Sequence, residues 1–358
     1  MPTRQIGEDP TCDLIMQSNE SPVPKHSMPP NPSFSARPAA AFFSRALSSF
    51  QSSGSTIQVI CTAAPALHHK NHDHGHPTPL PPRFPPQSLV VLDSSFNPPT
   101  RAHLRMATSA IQELMHKQSQ RPGALRLLLL LSINNADKDA KPAAFDKRLA
   151  MMWAFAGDVQ RSLQADPGEE QASSEVEPLS VDLGLSTAPY FYEKSAALAE
   201  GGFYNGERGM GGSTETEQVF LVGYDALVRI FDPKYYGSFD PEDQVSTAGT
   251  PPIRKALDPF FNRAKLRVTM RTGDEWGEAD EQAAYVDDLL HAGGLSDIGG
   301  STNWGSRIHM TEGRKPGEDV ISSTYVRAAV KAGDSEQLNL MVTPEVRWWI
   351  EQESLYTE

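Results

Sequence analysis

Cysteine is nearly missing from this sequence: Cys12 and Cys61 are the only two in 358 residues. Two thiols cannot build a disulfide framework, so the composition points to a reducing compartment, cytosol or nucleus. Long apolar runs are lacking as well. None approaches the ~18 residues that a membrane-spanning helix needs, which argues against a membrane partner. Positive charge is the third deficit, with 32 Lys and Arg against 45 Asp and Glu and a formal charge of −13. Binding to nucleic acid draws on phosphate neutralisation by cations, so this balance argues against that partner. It leaves room for a nucleotide, which needs only a few local cations. A presequence signature is absent too: Glu8, Asp9, Asp13 and Glu20 fall where secretory and mitochondrial signals avoid acids. The acid-free amphipathic stretch 36–52, with Arg37 and Arg45, lies too far in to replace one.

What the chain does have is unevenly spread. Pro, Ser and His crowd residues 1–88, whereas nearly all the strand-length apolar runs come later. The sequence therefore predicts a disordered, flexible extension over 1–38, a helix and strand with a Pro/His-rich linker over 39–88, and one α/β domain over 89–358. The histidines between His68 and His76 sit among prolines with no helix or strand period to fix ligand geometry, and read as linker rather than metal site. Ahead of them, 39–50 reads as a helix and 56–62 as a strand that could dock on the domain. Later strands are expected at 89–93, 125–133, 179–183, 219–223, 266–270 and 307–310. Helices are expected at 101–117, 145–159, 190–200, 278–291, 323–332 and 344–353. Continuous apolar strands between helices imply a doubly wound parallel sheet covered on both faces, with ligands at the carboxyl ends of the strands. Residues 164–178, 201–217, 240–252 and 293–305, rich in Gly, Ser, Pro and acids, read as mobile surface loops.

Two segments carry chemistry. The first runs Ser94-Ser95-Phe96-Asn97-Pro98-Pro99-Thr100-Arg101-Ala102-His103-Leu104-Arg105. It places a tight turn between an apolar strand and an amphipathic helix, and a helix start offers unpaired N–H groups and a positive dipole end to phosphate. Thr100 and His103 are three apart, so a hydroxyl and an imidazole share the face that such a phosphate would meet. The second segment is Ile321-Ser322-Ser323-Thr324-Tyr325-Val326-Arg327. Its hydroxyls suit a helix start, and Ser323 and Arg327, four apart, share one face there. Each alone is an ordinary capped helix. Together they resemble the paired signatures of the nucleotidyltransferase superfamily, an [H/T]-x-x-H turn and an I-S-S-T-x-x-R helix. The first is similar in particular to the G-S-F-N-P-x-T-x-x-H-L-R motif of the eukaryotic-type nicotinamide mononucleotide adenylyltransferases, in a divergent fungal-like branch. Ser94 departs from it by standing where that family has glycine.

The resemblance implies a Rossmann-like fold and an enzyme of NAD biosynthesis. In the implied reaction the 5′-phosphate of nicotinamide mononucleotide attacks the α-phosphorus of ATP, giving NAD and pyrophosphate, with Mg²⁺ bridging phosphate oxygens. His103, Thr100 and Arg327 would carry the chemistry, and Ser95, Phe96, Ser323 and Thr324 would bind ATP phosphates with them. A loop lysine, Lys138 or Lys141, would join, while Arg148 keeps a family arginine and Lys147 replaces a family histidine. Gly223-Tyr224-Asp225 resembles the family's G-A-D, in which the glycine lets backbone approach the nucleotide and the carboxylate accepts from sugar hydroxyls. On the mononucleotide side, Ser94 and Ser95 line the turn, Phe191 and Tyr236 fall where the family stacks tryptophans on the pyridine, and Arg271 matches a phosphate ligand. A cytidylyltransferase, a pantetheine-phosphate adenylyltransferase and a weakly active nucleotide-binding relative stay open as alternatives.

Overall fold

The computed structural model describes residues 36–64, 77–117, 123–133, 143–164, 179–206, 215–237, 250–272, 276–314 and 317–358, all within one compact unit, Ser33–Glu358. Along the chain run α1 (Ala36–Ser53), β1 (Ile57–Ala63), β2 (Ser88–Asp93), α2 (Arg101–Lys117), β3 (Leu125–Ser132), α3 (Phe145–Leu163), β4 (Ser180–Ser186), α4 (Phe191–Glu200), β5 (Glu217–Gly223), α5 (Tyr224–Ile230), α6 (Pro252–Arg263), β6 (Ala264–Thr269), α7 (Ala279–His291), α8 (Gly294–Asp297), β7 (Ile308–Thr311), α9 (Ser323–Ala332), α10 (Ser335–Met341) and α11 (Pro344–Gln352). Seven strands form one sheet in the order β1-β4-β3-β2-β5-β6-β7. Six are parallel, and β1 joins the edge antiparallel to β4.

The leucine run of β3 shows why the sheet is covered twice. Side chains alternate between faces along a strand. Leu127, Leu129 and Leu131 pack with α1, α2, α3 and α9–α11 on one side, and Leu128 and Leu130 pack with α4–α7 on the other. Both faces are buried, so the strand has no polar alternation. The chain builds β2, β3 and β4 outward in one direction, then returns to place β5 on the other side of β2. That reversal opens a crevice at the carboxyl ends of β2 and β5, where open α/β sheets bind ligands.

One reading needs correction, and helices appear that the sequence did not announce. Residues 293–305 are not a mobile loop, because α8 and a 3₁₀ turn at Thr302–Arg307 bury Leu295 and Trp304. Trp304 Nε1 donates to Asp258 Oδ1 at 2.9 Å. Helix α6 escaped the sequence reading because Pro251, Pro252 and Pro259 disguise it; Pro252 occupies the helix start, where a missing N–H costs nothing. Helix α10, capped by Asp334 on Gln337 N at 3.0 Å, was likewise not expected. Among the described residues, no helix is long and apolar enough to cross a membrane. Most of 1–38, the histidine-rich run and the parts of the expected loops at 165–178, 207–214 and 240–249 lie outside the described residues.

Phe43 and Phe50 of α1 are fully buried in the core, and β1 supplies a whole edge of the sheet. Deleting residues 1–35, which show no periodic apolar face, is expected to leave kcat and the thermal midpoint unchanged. Extending the deletion through residue 64 should destabilise the protein, measured by thermal unfolding. Loss of folding already in the shorter deletion would move the domain boundary upstream.

Candidate active site

Strand β2 ends at Asp93 and the chain turns through Ser94–Thr100 into α2. Phe96 adopts a left-handed φ of 43°, a conformation that costs a non-glycine residue free energy and recurs at functional sites. Its ring is fully buried, 5.4 Å from the His103 ring centroid. The Asn97–Pro98 peptide is cis. Asn97 is the hub of the turn: its Oδ1 accepts from Ala143 N at 2.8 Å and from Tyr356 OH at 2.9 Å, and its backbone carbonyl accepts from Arg327 Nη1 at 2.7 Å. Arg148, from α3, donates Nη1 to Ser95 O at 3.4 Å and Nε to Ala143 O at 2.7 Å.

The second segment docks on the first. Ser322 caps α9 by accepting from Tyr325 N at 3.2 Å, which frees Ser323 to donate Oγ to Pro98 O at 2.8 Å. Arg327 also reaches Thr324 Oγ1 at 3.1 Å. Two signatures about 220 residues apart in sequence therefore meet as one surface at the start of two helices.

The electrostatics of His103 follow from its neighbours. Thr100 N can only donate, and it lies 3.0 Å from Nδ1. Nδ1 is thus the acceptor and Nε2 carries the proton, which points to Ser94 Oγ at 3.0 Å. Burial lowers the imidazole pKa to about 4, so the ring is a neutral Nε2–H donor at physiological pH. Around it, Arg148 and Arg327 gather positive charge despite the acidic composition. Burial first, then the nearby Arg327 cation, push the Arg148 guanidinium below its ordinary range.

Across the crevice, β5 ends at Gly223 and α5 begins. A Cβ on Gly223 would stand 2.6 Å from Asp225 Oδ1, so glycine is what lets that carboxylate lie over the strand end. Arg271, just beyond β6, pairs with Asp225 at 3.1 Å. Buried Gln282 of α7 accepts from Arg271 N at 3.0 Å and donates back to Arg271 O, fixing the arginine's backbone. Tyr236 stacks at a tilt on Tyr192, centroids 5.8 Å apart, and its hydroxyl donates to Ile230 O at 2.6 Å. Phe191 meets Phe220 edge-on at 5.8 Å.

One cleft of about 1080 Å³ collects these elements: Ser94, Ser95, Thr100, His103, Phe191, Gly223, Asp225, Tyr236, Arg271, Ser323, Thr324 and Arg327 all line it. Lys138 and Lys141 lie outside the described residues. Phe96 is the exception among those that are described, since its side chain is buried in the core and only its backbone shapes the turn. Lys147 turns away to pair with Glu353. Sequence reasoning missed Tyr356, Gln282, Trp276 and the Asp93–Lys194 ion pair. The first two act through contacts between separate segments that no helix or strand pattern announces, while Trp276 and the ion pair line the cleft itself.

No family model matches the chain. A Schizosaccharomyces pombe protein, provisionally named nicotinamide mononucleotide adenylyltransferase, is 30% identical over 258 residues, which span 72% of this chain and 82% of that protein. Among solved structures, Plasmodium falciparum nicotinic acid mononucleotide adenylyltransferase complexed with APC aligns at 12% identity over 75% of this chain and 97% of its own, with a TM-score of 0.41. The same protein complexed with NaAD aligns over the same shares at 12% identity with a TM-score of 0.38.

Proposed function

This chain belongs to the nicotinamide mononucleotide adenylyltransferase family, and we propose that it transfers the adenylyl group of ATP to nicotinamide mononucleotide, releasing pyrophosphate and forming NAD. The observation that carries this reading is the union of the two helix starts, with His103, Ser323, Thr324 and Arg327 lining one cleft at the switch point of the sheet. In-line displacement at phosphorus asks for positioning and charge neutralisation rather than for an enzymic nucleophile. The α2 N-terminus, Nε2–H of neutral His103 and the Arg327 guanidinium supply donors and positive charge to the phosphates. Asp225 would accept from sugar hydroxyls, and Arg271 would hold the mononucleotide phosphate.

Mg²⁺ fits this cleft as an ion carried on the nucleotide. The groups at the two helix starts are N–H, O–H and cationic donors, which suit phosphate oxygens and leave the ion to phosphates and water. When bound it would neutralise phosphate charge.

The test is an assay of purified protein against nucleoside triphosphates and phosphorylated acceptors; turnover of ATP with a pyridine mononucleotide is expected, and turnover with CTP alone would replace this reading. Phe191→Ala and Tyr236→Ala each remove an aromatic face. The loss of base stacking is worth ~1–3 kcal/mol. Such contacts act equally in ground and transition states, so KM for the mononucleotide should rise with kcat and ATP affinity little changed. Weakened ATP binding alone would assign both rings to the adenine side.

A further inference from the structure

Asp93 and Lys194 form a buried ion pair inside the cleft, at side-chain exposures of 8% and 4%. Asp93 is the last residue of β2, next to Ser94, and Ser132 donates to its Oδ1 at 3.2 Å. Lys194 sits in the first turn of α4 with its ammonium 5.3 Å from the centroid of Phe191. Removing two charges from water is costly, and a well-packed apolar pair would usually serve stability as well. A buried pair in a binding cleft, beside an aromatic face, is therefore a candidate for recognition.

We propose that the Asp93–Lys194 pair reads the substituent on the acceptor's ring and selects a carboxamide over a carboxylate. This rests on the adenylyltransferase reading of the same cleft, and on Phe191 as a face for the pyridine. A carboxamide presents a carbonyl acceptor beside an N–H donor. An ammonium beside a carboxylate presents the complement: Lys194 retains N–H donors beyond the one given to Asp93, and Asp93 retains lone pairs. A carboxylate substituent offers two acceptors and no donor, so it would leave Asp93 facing a like charge. Because the pair is neutral, Lys194 gives an anionic ring no net attraction to offset that repulsion.

Calorimetric titration of the protein with nicotinamide mononucleotide and with nicotinate mononucleotide tests this directly, without requiring turnover. The amide is expected to bind at least about tenfold more tightly. Asp93→Asn leaves Lys194 uncompensated, so the ratio should move about tenfold or more toward the acid. The double variant Asp93→Asn/Lys194→Gln, neutral again but without a cation, should lose that gain. Equal binding of both ligands by the unaltered protein, tighter binding of the acid, or an unchanged ratio in folded Asp93→Asn would overturn the proposal while the adenylyltransferase reading stands. Binding of neither mononucleotide would remove both. Should Asp93→Asn fail to fold, Lys194→Gln serves instead: it leaves Asp93 uncompensated, so the ratio should move further toward the amide, and an unchanged ratio there would overturn the proposal equally.

Discussion

His103→Ala is expected to lower kcat by about 10²–10³, a rise of ~3–4 kcal/mol in the barrier, while the protein stays folded. The reason is geometric. Nδ1 is held by Thr100 N, so the ring cannot rotate freely and its single proton sits on Nε2 at the cleft wall, where Ser94 Oγ holds it until a phosphate oxygen takes that place. A donor fixed before the substrate arrives needs no reorganisation as charge develops on phosphate, which is where such groups contribute most. Folding should survive because the imidazole lies at the cleft wall and the Phe96 ring beneath it is packed independently, 6.4 Å from Phe155. Near-normal turnover in the variant would reduce His103 to a structural contact.

The same geometry sets a pH dependence. The folded-state pKa of about 4 lies below the ordinary histidine value of 6.5, so the unfolded chain binds the extra proton first. Stability from this group is complete above pH 6.5 and is lost progressively as pH falls toward 4. An NMR titration should therefore find the His103 imidazole neutral through pH 5, with its proton on Nε2. A midpoint near 6.5 would show that the ring is solvated and that its donor role depends on pH in the physiological range.

The strands and most helices were legible in the sequence because their apolar periods are local: the leucines of β3 and the amphipathic pattern of α2 need no partner to be read. The turn at Ser94–Thr100 and the start of α9 were legible as helix starts for a different reason, since hydroxyl caps and prolines mark such starts within a few positions. What stayed hidden were contacts between separate segments. Nothing around Tyr356 announces that its hydroxyl reaches Asn97 Oδ1, and nothing around Gln282 announces that it grips the backbone of Arg271. Asp93 and Lys194 are each unremarkable in sequence, and only the fold places one against the other. Helix α6 failed for the opposite reason, a strong local signal from proline that tertiary packing of Leu257, Phe260 and Phe261 overrides.

Arg126→Met is expected to cost about 3–5 kcal/mol of stability, because it leaves Asp182 charged and buried without its cation. Asp182 is fully buried and accepts from Thr62 Oγ1 at 2.7 Å, Arg126 Nη2 at 2.8 Å and Tyr204 OH at 3.1 Å. Arg126 Nη2 also donates to Leu80 O at 2.9 Å, and Leu80 N donates to Thr62 Oγ1 at 2.9 Å. One cluster thus ties β1, β3, β4, the segment before β2 and the turn after α4. Burial raises the Asp182 pKa above the ordinary carboxylate value even though Arg126 and two hydroxyls oppose the shift. Desolvation therefore outweighs pairing, so the folded state holds the proton more tightly than the unfolded chain and the charged pair is no net source of stability at neutral pH. It follows that Arg126→Met combined with Asp182→Leu should recover most of the loss, since the pair then leaves no orphaned charge. Denaturant unfolding of the two variants separates the cases: a single-variant cost below about 1 kcal/mol would mean that water reaches the pair. No recovery in the double variant would mean that the hydrogen bonds to Thr62, Leu80 and Tyr204, rather than the charges, hold these five segments together.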